Sequence, residues 1–182
     1  MSPELAPANP ELGFVNALAL CGLLLGALTI LLSMLLGLFS LLISPESVDL
    51  SFQMLGPAAP PAWLRWMFVN LASLCGWGLI SSGVLCWLSV GLQKRRGYAR
   101  LGFVALMYAN ALLHIAPVFF VPQMRQALAE MLALLPIPID PNHVEQMVLG
   151  SVVSGVVFAV GFAWTGWKLS SAPVRALFRS AV

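Results

Sequence analysis

Charged residues are scarce in this sequence. They make up 9% of its 182 residues, whereas hydrophobic residues make up 60%. A soluble domain typically carries about 25% charged residues and about 45–50% apolar ones. A chain this poor in charge does not have enough polar side chains to cover a folded surface in water. The composition therefore excludes an ordinary soluble domain and predicts an integral membrane protein.

Carboxylates are absent from all four long apolar runs, and His114 is the one basic side chain well inside any of them. A proton-driven carrier usually needs an intramembrane carboxylate or several ionisable groups. A membrane hydrolase or transferase needs paired carboxylates, a Ser/His/Asp set or metal ligands near an interface. Only Asp140, His143 and Glu145 approach such a grouping, and helix capping explains the two acids more simply. We therefore predict no enzyme, no catalytic residue, no metal and no cofactor.

Cysteines in exposed loops are also lacking, because Cys21, Cys75 and Cys86 all lie inside apolar runs. No loop disulfide is expected, even in an oxidising compartment. The three thiols are best interpreted as small apolar packing residues.

What the sequence does contain is four apolar runs, each long enough to cross a bilayer as a helix of about 20 residues. We predict an all-α, single-domain protein over 1–182, with four transmembrane helices in an antiparallel bundle. The predicted helices are about 14–44, 65–93, 98–121 and 143–168. The predicted outer loops are 45–64 and 122–142, and the predicted inner loop is 94–97.

The single dense block of charge lies between the second and third runs and contains Lys94, Arg95, Arg96 and Arg100. Lys and Arg in short loops are retained on the cytoplasmic side, so this loop predicts that both termini are cytoplasmic. We expect a location in a bacterial inner (plasma) membrane. The four cations either set the topology alone or also bind anionic lipid. Because the cations mark membrane exits rather than one folded surface, no nucleic-acid partner is expected.

Each outer loop contains a predicted short interfacial helix. Ser44-Pro45-Glu46 is a typical helix start, with an N-cap serine, a proline at the first helical position and an acid in the first turn. Val48, Phe52 and Leu55 then share one face. A similar apolar face follows in the second loop, made of Met124, Leu128, Met131, Leu132 and Leu135. Amphipathic segments of this kind lie on the bilayer surface.

Small residues recur at steps of three or four along the first run. The predicted helix-packing face consists of Gly22, Gly26, Thr29, Ser33, Gly37 and Ser40. Small side chains let helix backbones approach closely where lipid removes the hydrophobic driving force. This face packs either within its own bundle or against another chain, and the sequence leaves both alternatives open.

A candidate polar site lies toward the outer ends of the last three helices. Its predicted members are Asn70, Ser73, Asn110, His114, Ser151 and Ser154. Such side chains are expected to face the bundle and to hydrogen-bond between helices. The first hypothesis for function is a non-catalytic accessory, scaffold or assembly subunit, with the lipid bilayer and a membrane protein or a second copy as partners. The second is a small oligomeric transporter or channel with a polar site around His114.

Overall fold

The computed structural model describes residues 9–42, 44–55, 61–132 and 141–179. These residues are mainly helical, and none of them lies in a β-strand. The helices are α1 (Pro10–Ser40), α2 (Pro45–Leu55), α3 (Ala62–Val69), α4 (Leu71–Gln93), α5 (Gly97–Ile115), α6 (Val121–Leu132), α7 (Pro141–Ser170) and α8 (Ala172–Leu177), with a 3-10 turn at Ala116–Phe120 between α5 and α6.

Four helical stretches are long and apolar enough to cross a membrane. They are Pro10–Ser40, Leu71–Gln93, Gly97–Leu132 and Asn142–Ser170. Many of their large apolar side chains are exposed, among them Leu31, Trp77 and Val160. In water this exposure would be unfavourable, whereas in a bilayer lipid chains would cover these surfaces. The structure thus confirms an all-helical protein with four helices that are long and apolar enough to span a membrane.

The first helix begins at Pro10 rather than at residue 14. Asn9 caps it by accepting hydrogen bonds from the backbone N–H groups of Glu11 and Leu12. Pro10 occupies the first helical position, where a missing N–H costs nothing. The cap therefore adds one turn before the apolar run, and the helix ends at Ser40 rather than at residue 44.

The second and third runs also differ from their predicted bounds. The second is divided at Asn70, whose side-chain Nδ2 donates to the backbone oxygen of Trp66. The third is α-helical only to Ile115, and the 3-10 turn follows where Pro117 provides no backbone donor. It then continues into α6, so a helix occupies the start of the predicted loop 122–142. Parts of both predicted outer loops, including Leu135 and Asp140, lie outside the described residues.

Two helix pairs form the body of the fold. Helix α1 packs along α4, helix α5 packs along α7, and α4 contacts α5 next to the loop that joins them. We call the end of the helices next to residues 94–96 the basic end. The buried core lies there, and it contains Val15, Ala19, Leu88, Leu92, Ala99, Phe103, Met107, Leu169, Val174 and Phe178. The pairs are thus held together mainly at one end.

Candidate functional site: a cleft between two helix pairs

The small-residue face of α1 is directed mainly at α4. Gly22, Gly26 and Ser33 are buried. Gly37 lies near Cys75 of α4, since a Cβ added at Gly37 would lie 3.7 Å from the Cys75 Cβ. Thr29 is exposed and bonds to the backbone oxygen of Leu25. Ser40 bonds to the oxygen of Gly37, within its own helix.

Helix α4 meets this face with small residues of its own. A Cβ added at Gly22 would collide with Ser89, and one added at Gly26 would collide with Cys86. One added at Gly78 would lie 2.5 Å from the Ser33 oxygen. Two faces of small side chains therefore allow the α1 and α4 backbones to approach closely, as expected where packing rather than the hydrophobic effect joins helices.

Among the described residues, no hydrogen bond joins members of the predicted polar site across helices. Five of its six side chains bond to backbone oxygens of their own helical segment, and Ser73 is the exception. Asn110 donates to Leu106, Ser151 to Met147 and Ser154 to Ser151. Asn70 lies at the break between α3 and α4, and Ser73 is exposed on α4. The expectation of bonds across the bundle does not describe these groups, because a backbone oxygen one turn earlier is nearer.

His114 lies against α7 and is half-buried. Its Nδ1 is 2.9 Å from the backbone oxygen of Asn110. Its ring centroid is 5.7 Å from that of Phe158 and 5.1 Å from that of Phe162. The His114 carbonyl also approaches α7 closely, since a Cβ added at Gly155 would lie 2.7 Å from its oxygen. His114 is thus a packing residue between α5 and α7.

An apolar cleft of about 660 Å³ separates α1 from α7 beyond the core. Its walls are residues 18–25 of α1, Leu85 of α4, residues 103–110 of α5 and residues 157–165 of α7. Asn110 and Thr165 are its polar members, together with the thiol of Cys21. Gly161 leaves open space on the α7 wall, because a Cβ added there would meet no atom within 4 Å.

The basic end of the cleft is closed by two contacts between α1 and α7. Lys168 donates to Glu11 across 2.9 Å, with side chains that are 30% and 20% exposed. Phe14 and Trp164 form an edge-to-face pair with centroids 6.0 Å apart. The Glu11–Lys168 pair is not predictable from the sequence, since nothing local signals a contact between residues 157 positions apart.

The basic loop is a tight helix ending followed by a new helix. Arg95 adopts a left-handed backbone with φ of 52°. Its N–H bonds to the oxygen of Leu92, and the N–H of Arg96 bonds to that of Gly91. This is a Schellman ending, in which glycine usually occupies the left-handed position. Arg100 is half-buried and donates to the backbone oxygen of Leu169 across 3.3 Å.

Two further ion pairs of the described residues lie near the opposite end. Arg65 of α3 donates two hydrogen bonds to Asp49 of α2, at 2.8 and 2.9 Å. These bonds hold the pKa of the Asp49 carboxyl below its usual value. Arg125 of α6 lies 3.5 Å from Glu145 of α7. No three His, Cys, Asp or Glu residues in the described ranges are grouped so that they could hold a metal ion.

No protein-family model, curated protein or solved structure matches this chain.

Proposed function

We propose that the chain forms an antiparallel four-helix bundle in a bacterial inner membrane, with both termini cytoplasmic. The contacts of Gly22 with Ser89 and of Gly37 with Cys75 support opposite directions for α1 and α4. The basic end carries Lys94, Arg95, Arg96 and Arg100, and such loops stay in the cytoplasm. In this orientation α2 and α6 lie on the outer surface as interfacial helices.

Labelling of single cysteines tests this orientation. Gln53 and Gln126 are exposed on α2 and α6, and Gly97 is exposed in the basic loop. In a background without the three native cysteines, a membrane-impermeant maleimide should label cysteine at 53 and 126 in intact cells. It should label cysteine at 97 only after the membrane is opened. The reversed pattern would contradict the orientation.

We propose further that the protein is a non-catalytic accessory or scaffold subunit that holds a transmembrane helix of a partner in the α1/α7 cleft. The cleft is the observation that carries this proposal. Its α1 wall spans residues 18–25 and its α7 wall spans residues 157–165, or about 11 and 12 Å at 1.5 Å per residue. These lengths match about two turns of a helix. Gly161 provides the small-residue surface that close helix approach requires.

The α1 face of small residues is not available for this role, since α4 covers most of it. The polar side chains near His114 bond to backbone oxygens of their own helical segments. The apolar lining of the cleft is what supports a partner held there by packing.

Photo-crosslinking from the cleft tests the proposal. Leu25 is 58% exposed and lines the cleft, so a benzoylphenylalanine placed there should crosslink to one stoichiometric membrane partner. Gly161→Trp fills the cleft and should abolish that adduct. Gly83→Trp is the matched control, because Gly83 is an exposed helical glycine with open space on α4. Equal crosslinking in both variants would refute docking in the cleft.

A small oligomeric transporter or channel is the second candidate, favoured by one observation. Asn110 lines the cleft, and His114 lies one turn further along α5. His114→Gln keeps a hydrogen-bonding group of similar size and should preserve both fold and function of a scaffold. A variant that folds normally but loses all activity would instead place the transporter first, because glutamine cannot take up and release a proton as histidine can.

A further inference from the structure

A second cavity, of about 720 Å³, lies between α6 and α7. It has an apolar half, made of Val121, Val148, Leu149 and Val152, and a polar half, made of Arg125, Asn142, His143, Glu145 and Gln146. On both helices the apolar residues are nearer the basic end of the bundle. The apolar half is not closed off by protein, because Leu149 is 64% exposed. The volume lies in the usual range for small-molecule sites.

The length of the helices places the boundary between the two halves at a bilayer surface. Arg100 of α5 lies close to the level of Leu169 of α7, because its side chain donates to the Leu169 carbonyl oxygen. Val121 and Val148 each lie about 21 residues from this level, or about 32 Å at 1.5 Å per residue. A hydrocarbon core is about 30 Å thick. With the basic end at one interface, the apolar half thus lies at the far edge of the hydrocarbon and the polar half lies among the headgroups.

The polar half contains two opposite charges that are close together but not tightly joined. Arg125 Nη2 is 3.5 Å from Glu145 Oε1, whereas charge-assisted hydrogen bonds of this kind are about 2.7–2.9 Å long. The Arg65–Asp49 pair has two such short bonds. The side chains of Arg125 and Glu145 are also 58% and 62% exposed. Both groups can therefore bind a further molecule that carries a negative and a positive charge.

We propose that this cavity binds a phospholipid whose headgroup carries a phosphate and a primary ammonium, as in phosphatidylethanolamine, in the leaflet opposite the basic end. Arg125 pairs with the phosphate, and Glu145 accepts hydrogen bonds from the ammonium. An acyl chain covers the apolar half. His143 and Gln146 provide further N–H donors for the phosphate oxygens. A purely anionic headgroup fits less well, because Glu145 would repel it.

Native mass spectrometry of the protein released from nanodiscs tests the headgroup, with phosphatidylethanolamine, phosphatidylcholine and phosphatidylglycerol in equal parts. The parent should retain one phosphatidylethanolamine in preference to the other two, since choline has no N–H donor for Glu145 and phosphatidylglycerol has no cation. Glu145→Gln should remove the preference over phosphatidylglycerol. Arg125→Gln should lower retention of every phospholipid about 5-fold, equivalent to about 1 kcal/mol for one cation near the surface. Both side chains are more than half exposed, so these variants should keep the parent's thermal stability.

The matched controls are Asp49→Asn and Arg65→Gln, which remove the same charges near the same end of the bundle. Neither residue lines the cavity, so both variants should retain lipid as the parent does. Equal losses in the control and cavity variants would show a general attraction of lipids to charged residues and would overturn the site. Equal retention of the three lipids by the parent would overturn the proposed headgroup.

A second pair of variants tests the acyl chain. Val152→Trp fills the apolar half and should expel the lipid, whereas Val153→Trp changes the adjacent position, which is 53% exposed and outside the cavity. Equal retention in these two variants would overturn a lipid chain in the cavity. Displacement of the lipid by millimolar O-phosphoethanolamine, which has the same charges without the chains, would overturn a lipid as the ligand.

The site rests on the membrane location proposed above, but not on the orientation or on a partner in the α1/α7 cleft, because nanodiscs expose both leaflets. If labelling reversed the topology while Glu145→Gln still lost the lipid preference, the site would stand and only its leaflet would change. If topology and crosslinking held while the parent showed no lipid preference, the headgroup site alone would fail.

Discussion

Gly26→Ala tests the close packing of α1 on α4 with a single methyl group. The added Cβ would collide with the Cys86 sulfur and would lie 3.3 Å from the backbone oxygen of Ser82. The sulfur can move only by rotating the Cys86 side chain, and the oxygen belongs to a helix backbone that cannot move alone. The variant therefore forces the two helices apart.

Two opposing effects set the size of the change in the free energy of unfolding. Alanine favours a helix interior over glycine by about 1 kcal/mol. Overpacking a tightly packed contact costs about 1–3 kcal/mol. At Gly83 the same substitution meets no atom within 4 Å, so only the favourable term remains. We expect Gly83→Ala to be neutral or slightly stabilising and Gly26→Ala to be less stable than it by roughly 1–3 kcal/mol.

Reversible unfolding by SDS in mixed micelles, followed by tryptophan fluorescence, gives the free energies of unfolding. Cys86→Ala should partly rescue Gly26→Ala, because it removes the sulfur that the new methyl group meets. The coupling energy of this double-mutant cycle should fall at roughly 0.5–3 kcal/mol, the range for residues in contact. Equal stability of Gly26→Ala and Gly83→Ala, with no coupling to residue 86, would refute the close approach.

Three further predictions concern charged residues. Glu11→Gln leaves the half-buried Lys168 without its partner and should lower the free energy of unfolding by roughly 1–3 kcal/mol, a value between those for exposed and buried ion pairs. Restored SDS resistance in the double variant Glu11→Lys/Lys168→Glu would show that the contact itself stabilises the fold. Arg95→Gly should stabilise the protein by about 1 kcal/mol in the same assay, because glycine adopts the left-handed backbone without steric cost. Since Arg65 lowers the pKa of Asp49, their pair should stabilise the fold fully above the unfolded pKa of about 3.9 and lose that effect as pH falls through the folded pKa. In an NMR titration, Arg65→Gln should raise the pKa of Asp49, and an unchanged value would argue against the pair.

The sequence by itself predicted the all-helical membrane class. An apolar run of about 20 residues without charge is a property of the local chain, and it has one favourable environment whatever its neighbours are. The periodic small residues of α1 identified a face for the same reason, since the helical repeat places Gly22 and Gly26 on one side.

The neighbour of that face was decided only by the tertiary structure. Periodicity gives the direction in which a side chain points, but not the helix that lies there, so the sequence left open whether this face meets its own bundle or another chain. The polar residues show the same limit: Asn110 and Ser151 were expected to bond between helices, but each bonds to a backbone oxygen of its own helix.

Contacts between distant residues depended wholly on the fold. Glu11 meets Lys168 because the start of α1 and the end of α7 lie at the same end of the molecule. Arg100 bonds to the backbone oxygen of Leu169 because the start of α5 lies beside the end of α7. Charge in the sequence marked the ends of membrane segments, and the packing of small and apolar side chains determined which charges became neighbours.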